Sequence, residues 1–310
     1  MSILQLHVGL DDEEIRITAN SESKEKSISL DYEKIKEKFE LIYNILENLE
    51  TKNEASFFET INELSNDIIY PFEDLLEKSD HINFYIDTEL VRYAFDLLEI
   101  TDKPLFLTHL ITYTISDFEI EKEPELIIED AVIIADKTCD PENAAKTLSE
   151  NIENSLYKKM EDTEVEEIIE ESDDVSLLLI SAHGDLEDDN SGEISINDES
   201  LTGSELEDID CSIVYFDSCQ MGINTDFLEA FSEEGSTNYY LAPIISNDAG
   251  DSSTKTILWF FENLKDSENP AKALFETKKK LYQFYENKGL DKITVLNKAF
   301  PFRLYEFDIE

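Results

Sequence analysis

The chain is poor in everything that would staple, span or attract phosphate. Three cysteines among 310 residues (Cys139, Cys211, Cys219) cannot all pair, and no two stand at a Cys-x-x-Cys or Cys/His ligand spacing. A disulfide framework is therefore excluded, no metal or other cofactor is expected, and the thiols read as reduced. Apolar runs stay well short of a membrane span. The opening MSILQLHVGL has neither the basic start nor the long apolar stretch of a signal peptide. The expected setting is the cytoplasm, with no membrane partner. Bases are scarce: 25 Lys and Arg face 73 Asp and Glu, for a formal net charge of −48. Only Arg16, Arg92 and Arg303 are arginines. Direct binding to nucleic acid is excluded on this ground, because phosphate attraction needs clustered cations.

What is present is enough for a core. Hydrophobic residues make up 41% of the chain and aromatics 10%, so it folds in spite of its charge. The acids run through the whole sequence and are not gathered in a tail. Two explanations fit this: a salt-rich cytoplasm, as in a halophile, where screening removes the repulsion, or a basic partner or substrate.

Periodicity outlines the elements. The segment ILQLHVGLDDEEIRITA reads as two strands around a tight turn. Asp31 caps a helix whose apolar stripe is Ile35, Phe39, Ile42, Ile45 and Leu46. A helix over 55–78 is interrupted by Pro71. Strands follow at 82–87 and 104–116, then a charged connector over 117–130. Beyond it the rhythm is strand, helix, strand: AVIIAD, a helix within DPENAAKTLSENIENSLYKKM, a short helix VEEIIEES, then the strands DVSLLLISAHG, SIVYFDSC and YYLAPIIS. Helices are expected at 252–264 and 270–287 and a last strand in FPFRLYEFDI. Near-continuous apolar strands separated by helices predict an α/β fold in three layers, a mostly parallel central sheet with helices on both faces.

In such a sheet chemistry gathers at the carboxyl ends of strands. His183 ends LLLISAHGD and Cys219 ends SIVYFDSCQMG. If those strands are neighbours, the two side chains share one rim. An imidazole within reach activates a thiol. The amide of Gly184, with that of Cys219, can form an oxyanion hole. On residue type alone the plainer reading stands beside this one: a strand-end cysteine as a small buried hydrophobe and a histidine as a core residue. Cys139 and Cys211 have no histidine near them in sequence and read as structural, as do His7, His81 and His109.

These segments together resemble a caspase-like cysteine peptidase of the CHAT branch, the group related to caspases, metacaspases and separase. The His-Gly strand end, the following strand ending in Asp-Ser-Cys, the block YYLAPIISNDAGDSSTKTILWFFENLKDSENPAKALFETKKKLY, and the earlier IIYPFEDLLEKSDHINFYIDTEL carry the resemblance, over roughly residues 55–310. It implies that Cys219 attacks a peptide carbonyl, that His183 shuttles the proton, and that the Gly184 and Cys219 amides hold the oxyanion. The caspase consensus Gln-Ala-Cys-Arg-Gly is missing, so specificity for Asp is not implied. Asp217, two residues before the cysteine, matches the metacaspase acid that helps bind a basic P1 residue; Asp185 and Asp248 are lesser candidates. The plain alternative for Asp217 is one acid among many ending a strand.

Residues 1–54 then form an N-terminal strand and helix extension, and 55–310 the peptidase domain, with possible halves at 55–125 and 126–310. The expected function is an endopeptidase cleaving specific proteins, in stress or antiviral defence. No recognition repeats are visible, so a separate regulator or sensor chain is expected. Two other readings remain open. One is a catalytically silent caspase-like module binding a partner through its acidic surface; the other is a small-molecule acyl or thiol hydrolase.

Overall fold

In the computed structural model the described residues are 2–21, 24–115, 126–187, 189–207, 209–233 and 237–307. Most of the expected connector over 117–130 lies outside them, as does the boundary between residues 125 and 126. By its internal contacts the chain forms two compact units, Met1–Asp117 with Lys278–Phe300, and Phe118–Thr277 with Pro301–Glu310.

The first unit opens with β1 (Ile3–Asp11), β2 (Glu14–Ser21) and β3 (Lys24–Asp31), an antiparallel meander. Asp12 takes a left-handed φ of 54° in its first turn. β4 (His81–Ile86) lies parallel to β1. A two-residue ladder, β5 (Glu99–Ile100) with β6 (Lys103–Pro104), precedes β7 (Leu110–Thr114), which is parallel to β4. The order in this unit is therefore β3-β2-β1-β4-β7. The helix Tyr32–Glu47 is capped by Asp31, whose side chain accepts from the Lys34 amide at 3.0 Å, and it buries the stripe read from the sequence. The expected helix over 55–78 is divided: Glu54–Leu64, a widened turn at Ser65–Ile69, a tight turn holding Pro71, and Glu73–Leu76. The strand expected from 104 begins only at Leu110, because Leu105–Leu107 make a helical turn first.

The second unit contains β8 (Asp130–Ala135), β9 (Asn154–Lys159), β10 (Val175–Ser181), β14 (Cys211–Phe216), β15 (Tyr239–Pro243) and β16 (Phe302–Glu306), in the order β16-β15-β14-β10-β8-β9. All neighbours are parallel except β15 and β16. Leu177 to Ser181 are all buried. Alternate residues point to opposite faces, so both faces of the sheet are covered. Rings pack on each side: Tyr215 meets Phe260, Phe261 and Phe302, while Phe216 meets Phe227 and Tyr240. The expected mostly parallel sheet flanked by helices is the architecture found.

Two local expectations are corrected. The helix within 140–160 is only Ala144–Ser149; Asn154–Lys159 is instead the strand β9, paired along its length with β8. Its Ser155 and Tyr157 are more shielded than Asn154 and Leu156, a period of two that the charged flanks hide. Between β10 and β14, where no strand was expected, the chain forms a small antiparallel sheet, β11 (Gly184–Leu186), β12 (Gly192–Ile196) and β13 (Glu199–Leu201). A helix at Lys292–Ala299, capped by Asp291, was not anticipated. Among the described residues no helix is long and apolar enough to cross a membrane.

Candidate active site

Three neighbouring parallel strands, β8, β10 and β14, end at one rim of the second unit. Their registers align Ser181 with Ala135 and Ile180 with Phe216. The residues just beyond these ends are Asp136, His183 and Asp217 to Cys219. Backbone bonds carry the alignment past the strands: the Asp136 amide donates to Ser181 O at 2.7 Å, and the Asp217 amide donates to Ile180 O at 2.8 Å. His183 is pinned through its carbonyl, which accepts from the Ser195 amide on β12 at 2.9 Å. The small sheet missed in sequence therefore positions the histidine.

Gly184 and Cys219 meet directly. A Cβ added at Gly184 would stand 2.7 Å from Cys219 O, 3.0 Å from Met221 Cε and 3.3 Å from Cys219 N. Any side chain there would push the cysteine's backbone away. After Cys219 the chain turns sharply through Gln220, at a φ of 61°. Cys219 is half-buried, and its Sγ lies 3.8 Å from Asn247 O.

The imidazole of His183 is 65% exposed and its Nε2 faces the loop after β8. It shares a hydrogen bond with Thr138 Oγ1 at 3.0 Å and lies 3.8 Å from Asp136 Oδ2. The Thr138 hydroxyl donates to the same carboxylate oxygen at 2.8 Å. Asp136 and Thr138 thus hold one ring nitrogen and leave Nδ1 for other work.

Asp217 is turned inward, 6% exposed. Its carboxylate accepts from Ser181 Oγ at 2.8 Å, Ser253 Oγ at 2.6 Å and Asn247 Nδ2 at 3.0 Å. Burial pushes its carboxyl above the ordinary carboxylate value; those three hydrogen bonds pull the other way, and the charge of Asp140 adds to the rise. Among the described residues no lysine or arginine pairs with it.

Asp185 is exposed on β11. Cys211 is buried at the far end of β14, and burial raises its thiol to about 12. His81 bonds Thr112 at 2.8 Å inside the first unit, and His109 lies 3.2 Å from Leu76 O. Cys139, read as structural for want of a histidine near it in sequence, is buried, and its donor atom lies within 4.8 Å of those of Asp136 and His183. Asp136, Thr138 and Asn247 escaped sequence reasoning. The one signal for Asp136 was that AVIIAD, like the other two runs, ends in a polar residue at a strand end.

No protein-family model matches the chain, and no curated protein matches it in sequence. Solved structures do match in fold. One is the complex of RgpB pro- and mature domains from Porphyromonas gingivalis, at a TM-score of 0.52 and 11% identity, over 87% of this chain and 75% of that one. At that identity the likeness is one of fold: a mixed α/β chain with a mostly parallel sheet, consistent with the caspase-like fold of that neighbour.

Proposed function

We propose that this chain is a caspase-like cysteine endopeptidase of the CHAT type. The observation that carries the reading is the meeting of three adjacent strand ends at one rim, with Gly184 packed against the Cys219 backbone. Cys219 Sγ attacks the scissile carbonyl and forms the thioester as the C–N bond breaks. His183 takes the thiol proton and delivers it to the leaving amine; water, deprotonated by the same imidazole, then releases the acid. The Gly184 and Cys219 amides receive the oxyanion. Asp136 and Thr138 act as positioning residues for the ring, as an orienting acceptor does in other nucleophile–base pairs. Asp217 reads a basic P1 side chain. Residues 55–310 carry the peptidase, 1–54 extend it, and a separate regulator or sensor chain restrains it in the cytoplasm, in a stress or defence setting.

The test is labelling and turnover together. A peptide electrophile with a P1 arginine is expected to modify Cys219 and to spare Cys139 and Cys211. Both of those thiols are buried, and burial raises each to about 12. Cys219→Ala and His183→Ala each abolish cleavage of any substrate found by mass-spectrometric mapping. Equal labelling of all three thiols, or cleavage that survives Cys219→Ala, overturns the reading.

A further inference from the structure

The turn after β8 brings together more donor atoms than a histidine orienter needs. A carboxylate oxygen of Asp136, the sulfur of Cys139 and an imidazole nitrogen of His183 all lie within 4.8 Å of one another. The Asp136 Oδ2 to His183 Nε2 separation is 3.8 Å. Ligand atoms about 2.0–2.3 Å from a tetrahedral zinc ion stand about 3.3–3.8 Å apart. The widest pair in the trio therefore needs to close by about 1.5 Å at most.

The Thr138 hydroxyl is their common partner: 2.8 Å from Asp136 Oδ2, 3.0 Å from His183 Nε2 and 3.9 Å from Cys139 Sγ. It keeps the three donors aimed at one region. The turn is also fixed from below. The Cys139 and Asp140 amides donate to Asp136 O at 3.1 and 2.8 Å, and the Thr138 amide holds the other carboxylate oxygen, Oδ1, at 2.8 Å. Asp136 Oδ2 is left facing the histidine and the thiol.

The donor set selects the ion. Calcium and magnesium ask for oxygen cages, which a chain with 73 acids offers in many weak forms. Sulfur, nitrogen and oxygen on one point suit a borderline divalent transition metal. His183, being exposed, leaves a route in from solvent and room for a water as fourth ligand.

We propose that Asp136, Cys139 and His183 form a zinc-class metal site at this rim, with the Thr138 hydroxyl holding the ligands in place until the ion displaces it. On binding, Cys139 gives its thiol proton to solvent, and the thiolate, imidazole and carboxylate each donate a lone pair. An imidazole held by the metal no longer accepts the proton of Cys219, so the loaded form is an inhibited one. That consequence rests on the peptidase reading; metal binding itself does not.

The experiment is a titration of the full chain with cobalt(II) in excess magnesium, which occupies the surface carboxylates. The expected result is a thiolate-to-cobalt charge-transfer band that saturates at a single metal per chain and is bleached by zinc. Cys139→Ser removes the band, whereas Cys211→Ser and Cys219→Ala keep it. Asp136→Asn weakens binding by at least the roughly 10–100-fold that losing an outer partner of a metal ligand brings. Thermal melts confirm that each variant is folded, and the wild-type spectrum alone decides the first point. Absence of the band in the wild type, its survival in Cys139→Ser, or its loss in Cys219→Ala overturns the site. Where cleavage is measurable, zinc is expected to stop it and a chelator to restore it. A failure of that arm with the band intact counts against the peptidase reading and the inhibition it carries, not against the metal site.

Discussion

Each unit buries an aspartate, and the two are treated in opposite ways. Asp96 of the first unit, 2% exposed, meets Lys278 Nζ at 2.7 Å and accepts a hydrogen bond from the Tyr113 hydroxyl. Its charge is met by a cation that is itself buried beneath the ring of Phe106. Asp217 of the second unit is almost as buried, yet among the described residues it is met by two serines and an asparagine. Neutral donors stabilise a carboxylate less than a cation does, and burial leaves the difference uncompensated. The first arrangement is a charge met by an opposite charge inside a core. The second holds a carboxylate with no positive partner among the described residues, beside the candidate nucleophile, and under the proposed function a P1 arginine or lysine supplies that partner.

The largest effect separating the two is on stability. Lys278→Met leaves Asp96 without its cation and is expected to lower unfolding free energy by about 3–5 kcal/mol, read from urea melts. Adding Asp96→Asn to that variant restores part of the loss. A loss below about 1 kcal/mol would mean that Asp96 is neutral in the folded chain, and the contrast with Asp217 would collapse.

Next in size is an effect on specificity. In a fluorogenic panel with Arg, Lys, Met, Leu and Asp at P1, the wild type is expected to prefer Arg, then Lys. Asp217→Asn is expected to remove about 2–3 kcal/mol of that preference, about thirty- to two-hundredfold in kcat/KM. The fold itself is little affected, because the asparagine oxygen still accepts from Ser181 and Ser253, and Asn247 turns its amide to match. If apolar P1 residues win and the substitution changes nothing, Asp217 is a strand terminus, and its neutral shell is merely how that terminus is satisfied.

These two aspartates also mark how far sequence reaches. The strands β8, β10, β14 and β15 were legible because parallel strands covered on both faces are near-continuous apolar runs. His183, Gly184 and Cys219 were legible because each stands where such a run stops. The contacts around them were not. Thr138 lies 45 residues from His183, and Lys278 lies 182 from Asp96; no local period links such pairs. Asp136 was hidden among 73 acids by composition alone. The misread β9 and the unseen β11 to β13 share one cause. They are short, half-exposed strands among acidic and polar residues, where alternation is too brief to stand out. Cys139 was set aside for want of a histidine nearby in sequence, and the sheet supplied one from two strand ends.

The smallest expected effect is also the one whose sign is most exposed to failure. Burial raises the carboxyl of Asp217 above its ordinary value. A raised value means that the folded chain holds the proton more tightly than the unfolded one. The stability this contributes is complete below the unfolded carboxylate value and is lost as pH rises through the folded value. Asp291 of the first unit is the counterpart. Burial pushes it up too, but Lys52 Nζ at 2.6 Å and the Thr294 amide and hydroxyl at 3.1 and 2.8 Å outweigh that and carry it down to about 2. Its contribution is present above the ordinary carboxylate value and is lost as pH falls towards 2. Asp291 is partly exposed, so solvent screening leaves only a small contribution. In urea melts from about pH 3 to about pH 7, the wild type minus Asp217→Asn difference is expected to fall with pH, and the wild type minus Asp291→Asn difference to rise, the latter by about 1 kcal/mol or less. The general repulsion of a chain at −48 acts on all three proteins and cancels in the differences. Slopes of the same sign would show that Asp217 has gained a charge partner in solution, as Asp96 has in its core.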